Sequence, residues 1–200
     1  GKVYAANTFG AIVGVLVSVQ LLMPLIGLQN LLTFGAAVDI SLGVFLFYQR
    51  RWIHTKYVSA LAVLFGVLIY SQVDFALERL ASGVYRDGNL LQKINSVFHK
   101  DGKTATVDVF DIGDIRTIST NGKSDASVAL TGKISVDEHT MVLLGAIPLL
   151  LNLDAVDAAV IGMGSGITSH TLLASSNIQR LDTVEIEPAM IEGARFFGAS

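Results

Sequence analysis

The sequence predicts transmembrane α-helices followed by an α/β part, in which a small antiparallel β unit leads into a strand, a turn, a helix and a second strand. Three observations carry that expectation. Of 14 basic and 17 acidic residues, only Lys2, Asp39, Arg50, Arg51, Lys56 and Asp74 fall within the first 75 positions. The apolar share is 52% of 200 residues, with a mean hydropathy of +0.57, well above what a soluble domain usually carries. A glycine turn, Gly162-Met163-Gly164-Ser165-Gly166, stands between two short apolar runs. The charge split excludes one uniform globule, and the apolar content excludes a disordered chain.

Val3 to Val38 contains no charged residue, which is room for more than one membrane crossing. Pro24, Gly27, Gln29 and Asn30 supply a break, so one helix is expected near 4–27 and a second near 31–48, ended by Arg50 and Arg51. The uncharged run Tyr57 to Val73 is a third span of about minimal length. Gly10, Gly14 and Ser18 recur every fourth residue, a spacing that admits a neighbouring helix closely. Asp39 is the one ionisable group well inside a span, either a functional carboxyl or one satisfied by an adjacent helix. A multi-pass protein of the cell membrane, in contact with lipid, is therefore expected. Arg50, Arg51 and Lys56 place their loop in the cytoplasm, which carries the residues after Val73 to the far side.

From about Asp74 the composition is that of a soluble protein. Residues 76–95 start helically, with Phe75, Leu77 and Leu80 marking the pattern, and break at Gly83 and Asp87-Gly88. Lys103 to Val109 alternates as a strand, and Ile115 to Ser119 forms a second, reached through Gly113-Asp114. Asn121-Gly122 is a tight turn, because both residues tolerate positive φ, and a third strand follows around Ser127–Leu130. The expected organisation is helices in 1–75, a linker and the β unit in 76–135, and the first part of an α/β domain in 136–200. Gly1 is not a methionine and the sequence stops after a helix-like run, so the chain reads as a piece of a longer one.

Several chemistries drop out. A net charge of −3 without a basic block leaves no footprint for nucleic acid. Cysteine is absent, which excludes disulfides, thiolate nucleophiles and Cys-ligated zinc. His54, His99, His139 and His170 lack metal-ligand spacing, so no metal is expected. Asp137-Glu138-His139 reads as a solvated helix start whose acids favour the N-terminus. No G-x-S-x-G surrounds Ser165, and a hydrolase nucleophile has no support.

What remains is the glycine turn. Ala158 to Ile161 runs into it as a short strand, a helix follows through about Ser175, and Thr183-Val184-Glu185-Ile186 forms the next strand. Glycines at such a turn let the backbone approach a ligand and aim the helix N-terminus at it. Glu185 lies about 20 residues on, where an acid accepts hydrogen bonds from ribose hydroxyls. A dinucleotide fingerprint would need glycine where Ile167 stands. The spacing here, G-x-G-x-G, suits a nucleoside of the S-adenosylmethionine type, with no pyrophosphate to cradle. Gly162, Gly164, Ser165, Gly166 and Glu185 are the candidate binding residues.

With these residues the chain resembles spermidine synthase and related polyamine aminopropyltransferases, in the branch whose transferase follows a transporter-like helical part. The likeness rests on Gly162 to Gly166 with Val184-Glu185-Ile186-Glu187-Pro188. It extends to Asp137-Glu138-His139 before Leu144-Gly145-Ala146-Ile147-Pro148-Leu149-Leu150, and to Asn121-Gly122-Lys123-Ser124-Asp125-Ala126-Ser127. It covers residues 80–200, and the helices more loosely.

The resemblance implies a small β domain packed on a Rossmann-like (S-adenosylmethionine-type) transferase domain, truncated at its C-terminus. It implies transfer of an aminopropyl group from decarboxylated S-adenosylmethionine to a polyamine acceptor, releasing methylthioadenosine. The implied partners are a small-molecule nucleoside and a polyamine, with no metal, and the catalytic Asp is expected beyond Ser200. The chain departs from the family pattern in three places. Ser165 stands where an Asp helps bind the amine, Met141 stands where His or Gln is usual, and no Gln is matched around Thr104-Ala105-Thr106. Nucleoside-binding residues thus carry over, and amine-handling residues mostly do not. Two alternatives stay open: a methyltransferase-like enzyme with another acceptor, and a non-catalytic nucleoside- or polyamine-binding module linked to a transporter. Self-association into a homo-oligomer is open as well. A donor of this type is a cytosolic metabolite, which opposes the charge rule and leaves the side of the membrane undecided.

Overall fold

The structure, a computed structural model, describes residues 1–49, 55–72, 79, 81–88, 90 and 93–198. They form two compact units, Gly1–Ala76 and Leu77–Ser200. The loop that Arg50 and Arg51 mark, and the helical start at Phe75, Leu77 and Leu80, lie outside the described residues.

In the first unit α1 (Lys2–Val17), a π-helical stretch (Ser18–Leu22) and α2 (Met23–Gln49) join into one helical run. That run, Lys2–Gln49, is 48 residues long and apolar enough to cross a membrane. The following helix, α3 (Thr55–Gln72), holds a shorter apolar stretch, Lys56–Ser71. Pro24 accounts for the π turn. Proline lacks an N–H and its ring presses on the carbonyl four residues back, that of Gln20, which lies in the widened stretch.

The break expected between a helix near 4–27 and one near 31–48 falls at a single residue, Gly27, where two helices meet across a kink. Gly27 has φ 74° and ψ 171°, and the helix resumes at once on its far side. A residue without Cβ takes that conformation cheaply, so no loop is needed. The polar residues near it do not break the helix, because they bond back to its own carbonyls. Asn30 donates to Ile26 O (2.8 Å), Thr33 to Gln29 O (2.9 Å) and Ser41 to Ala37 O (2.7 Å). A close approach of helices does occur, at a glycine not singled out in the sequence: a Cβ at Gly66 on α3 would lie 3.3 Å from Ile40 Cδ1 on α2. Cβ positions at Gly10 and Gly14 meet nothing within 4 Å. Asp39 is exposed on α2, and no neighbouring helix covers it among the described residues.

In the second unit, after helical residues 79 and 81, comes a single turn, α4 (Val84–Asp87), bounded by Gly83 and Gly88. Four antiparallel strands follow in the order β1 (Asn95–Asp101), β2 (Thr106–Ile112), β3 (Ile115–Thr120) and β4 (Lys123–Ala129). The sequence reading finds three. The first strand escapes it because Asn95, Ser96, His99, Lys100 and Asp101 hide the apolar alternation on an edge strand. Lys103 to Ala105, expected to begin a strand, is the turn between β1 and β2, with Gly102 N donating to Ala105 O at 2.9 Å. Asn121 and Gly122 both have positive φ (50° and 76°), so the β3–β4 turn has the expected hairpin geometry. Because that turn is only two residues, β4 starts at Lys123, paired with Thr120, rather than near Ser127.

Alternation gives the sheet two different faces. On one, Val107, Val109 and Ile118 are fully buried and join Ala126, Ala189 and Met190 in the core. The last two belong to α7 (Pro188–Ala194), whose Gly193 permits close seating: a Cβ there would lie 3.0 Å from Ile118 Cδ1 and 3.2 Å from Val109 Cγ2. On the other face His99, Asp108 and Ser119 lie side by side on three strands. His99 Nδ1 and Asp108 Oδ1 are 2.6 Å apart. The hydrogen bond to Asp108, acting against partial burial, raises the His99 pKa above 6.5.

Between these core strands and α7 come α5 (Val136–Leu151), β5 (Asp157–Ile161), α6 (Ile167–Leu173) and β6 (Arg180–Val184). Ser135 and Glu138 start α5 with a reciprocal capping box. β5 and β6 pair in parallel, from Asp157↔Arg180 to Ile161↔Val184. The β unit and the residues after 136 therefore share one buried core.

Ile118→Ala should lower the unfolding free energy by about 2–5 kcal/mol, since it empties the centre of that core; urea titration of the chain measures it. The pH dependence follows from His99. Its raised folded pKa makes its contribution full below 6.5 and lost as pH rises through the raised value. Melting midpoints should fall over that range in the wild type and stay flatter in His99→Gln.

Candidate nucleoside site

The turn after β5 needs its glycines for backbone reasons. Gly162, Gly164 and Gly166 have φ of 89°, 53° and 86°, which side chains with a Cβ rarely adopt. Gly162 N donates to Val184 O at 2.8 Å, carrying the parallel ladder one residue past β5. Cβ positions at Gly162 and Gly164 meet nothing within 4 Å, so the turn is open to an approaching group there. Gly166 starts α6.

Glu185 lies one residue past the end of β6, where the sequence reading puts it inside the strand. Its Oε2 accepts from Met163 N (2.8 Å) and its Oε1 from Glu187 N (2.9 Å). The acid and the glycine turn, 22 residues apart at this contact, are thus brought together. Each carboxylate oxygen keeps a further lone pair, enough to accept two hydroxyl donors while still holding the turn.

Ser165 and Met141, distant in sequence, touch each other. Ser165 is buried, and its hydroxyl donates to Met141 Sδ at 3.1 Å. Thr168 Oγ1 donates to Met141 O at 3.0 Å, and Gly145 on α5 lets Thr171 of α6 come close. The wall they form is neutral. Beside it runs a groove of about 660 Å³ bounded by the glycine turn, β5, α5 and, from the sheet, Asp125 and Ala126. Asp125 is not singled out by the sequence reading as lining this groove, because it belongs to the hairpin motif, far in sequence from the glycines. Ile161 is 92% exposed beside the turn.

Glu187 is the second residue that sequence reasoning passes over. It is buried, its Oε2 accepting from Thr104 N (2.8 Å) and Thr104 Oγ1 (2.7 Å), and its Oε1 from Ala189 N (3.0 Å). Burial pushes its carboxyl up, but the hydrogen bonds from Thr104 and Ala189 together outweigh that and hold it below 4.5. A Cβ on Gly102 would collide with this carboxylate. The signal was present: an acid directly before proline is an N-cap followed by a first helical residue that needs no N–H partner. His139 sits apart from the turn and bonds Ser135 O at 3.0 Å. Among the described residues no three His, Cys, Asp or Glu side chains are grouped to hold a metal ion.

No family model matches the chain, and no curated protein matches it.

Glu187→Ala should cost about 1–3 kcal/mol, because Thr104 and Ala189 are left with unpaired donors. Since the folded pKa of Glu187 is lowered, its contribution is present above 4.5 and lost as pH falls through the lowered value. Denaturation followed from neutral to acid pH should show that loss in the wild type and much less of it in the variant.

Proposed function

We propose that this chain is a membrane-anchored, spermidine-synthase-like protein whose glycine turn and Glu185 bind the nucleoside of decarboxylated S-adenosylmethionine or of methylthioadenosine. One observation carries the reading: Glu185, at the end of one parallel strand, reaches Met163 N in the glycine turn at the end of the neighbouring strand, 2.8 Å away. That juxtaposition supports a Rossmann-like nucleoside site, in which an acid accepts from the ribose hydroxyls and a glycine turn admits the ligand. The apolar run Lys2–Gln49 supports membrane anchoring, and its interruption at Gly27 together with the apolar α3 supports a multi-pass arrangement.

In the transfer, an amine nitrogen forms a bond to the aminopropyl carbon as the carbon–sulfur bond breaks. The sulfur keeps the electron pair, and a carboxylate takes the proton from the attacking nitrogen. The neutral contact between Ser165 and Met141 favours a second reading, a nucleoside-binding module without transfer.

Calorimetry with methylthioadenosine tests the nucleoside site. Charge-assisted bonds from Glu185 are worth roughly 1.5–3 kcal/mol, so Glu185→Gln should weaken binding by about 10- to 100-fold. Unchanged affinity would remove Glu185 from the site. Spermidine formation from putrescine, assayed on a protein that extends beyond Ser200 to include the expected catalytic Asp, decides between transferase and binding module.

A further inference from the structure

The groove beside the glycine turn is charged in one sense only. Among its described lining residues the formally charged ones are Asp125 and Asp157, and none is basic. Such a groove favours a cation over a neutral or anionic group. The two acids are not equivalent. Asp157 opens β5, and at about 3.3 Å per residue the strand puts it roughly 16 Å from Gly162. That is too far for a short substituent on a nucleoside seated at the turn. Asp125 lines the groove from β4 instead. The next residue, Ala126, belongs to the buried cluster against which Met141 packs, and Met141 Sδ receives the Ser165 hydroxyl at 3.1 Å.

The Asp125 side chain is 24% exposed and is held in place. Thr120 Oγ1 donates to its Oδ2, and Lys123 Nζ stands 3.5 Å from its Oδ1. The threonine fixes the direction of the carboxylate. The lysine does little to cancel its charge: it is 55% exposed and does not line the groove, and a solvated pair of this kind is weak and screened by salt.

We infer that Asp125 is a specificity-determining carboxylate of this site, holding the cationic aminoalkyl end of the nucleoside ligand. It supplies from β4 the negative charge that Ser165 and Met141 do not supply from the turn and α5. The inference rests on the nucleoside reading above, and two ligands separate it from that reading. Methylthioadenosine carries the nucleoside without the cationic chain, whereas decarboxylated S-adenosylmethionine carries both.

Calorimetry on the full chain in detergent, with each ligand in turn, is the test. Asp125→Asn, which can still accept from Thr120, should weaken decarboxylated S-adenosylmethionine by about tenfold or more and methylthioadenosine by less than about twofold. Asp125→Glu should keep the preference for the charged ligand. Lys123→Met should leave both affinities within about twofold, and rising salt should weaken the charged ligand while sparing methylthioadenosine, a readout that does not depend on the asparagine variant folding. Equal effects on both ligands, or on neither, would overturn the role of Asp125 while wild-type binding of methylthioadenosine left the nucleoside reading standing. Failure of the wild type to bind either ligand would overturn both.

Discussion

A carboxylate leaves water only when donors fill its lone pairs, and Glu187 meets that condition with the amide and hydroxyl of Thr104 and the amide of Ala189. Two parts of the second unit become fixed to each other through it. The turn between β1 and β2 is tied to the start of α7, so that Met190 and Gly193 come down on Val107, Val109 and Ile118. The same residue sets the acid two positions earlier, because Glu187 N donates to Glu185 Oε1 while Met163 N takes Oε2. The carboxyl that faces the glycine turn is therefore oriented by a backbone that a buried carboxyl holds still.

The polar residues of the sheet are arranged by the opposite logic. The face toward α7 is apolar and closely packed, with a glycine at the point of nearest approach. The other face buries Asp108 and Ser119 beside His99, and among the described residues Asp108 Oδ2 and Ser119 Oγ have no hydrogen-bond partner. The bond between His99 and Asp108 compensates part of that burial. This makes the histidine's proton part of what holds the sheet.

At Asn30, Thr33 and Ser41 of the apolar unit the same constraint is met within the helical run itself. Hydroxyl and amide side chains on α2 return to carbonyls of their own helix, which leaves its outer surface apolar. The conformational break is concentrated at Gly27, and the irregularity caused by Pro24 is absorbed one turn earlier as a π turn.

Much of this was legible in the residues alone. Charge placement separates an apolar unit from a mixed one, and Asn121-Gly122 dictates its hairpin because few other residues accept positive φ at both positions. The glycines at 162, 164 and 166 announce a turn that only they can make, and Glu185 follows at the right distance. These are local properties, decided by which backbone angles a residue tolerates. What only the tertiary structure decided are the encounters between distant segments. Strand β1 is stabilised by pairing with β2 rather than by its own pattern, Ser165 meets Met141 across α5 and α6, Thr104 meets Glu187 across 83 positions, and Asp125 arrives at the groove from a hairpin. Each depends on packing and on the satisfaction of buried polar groups, and no spacing along the chain records either.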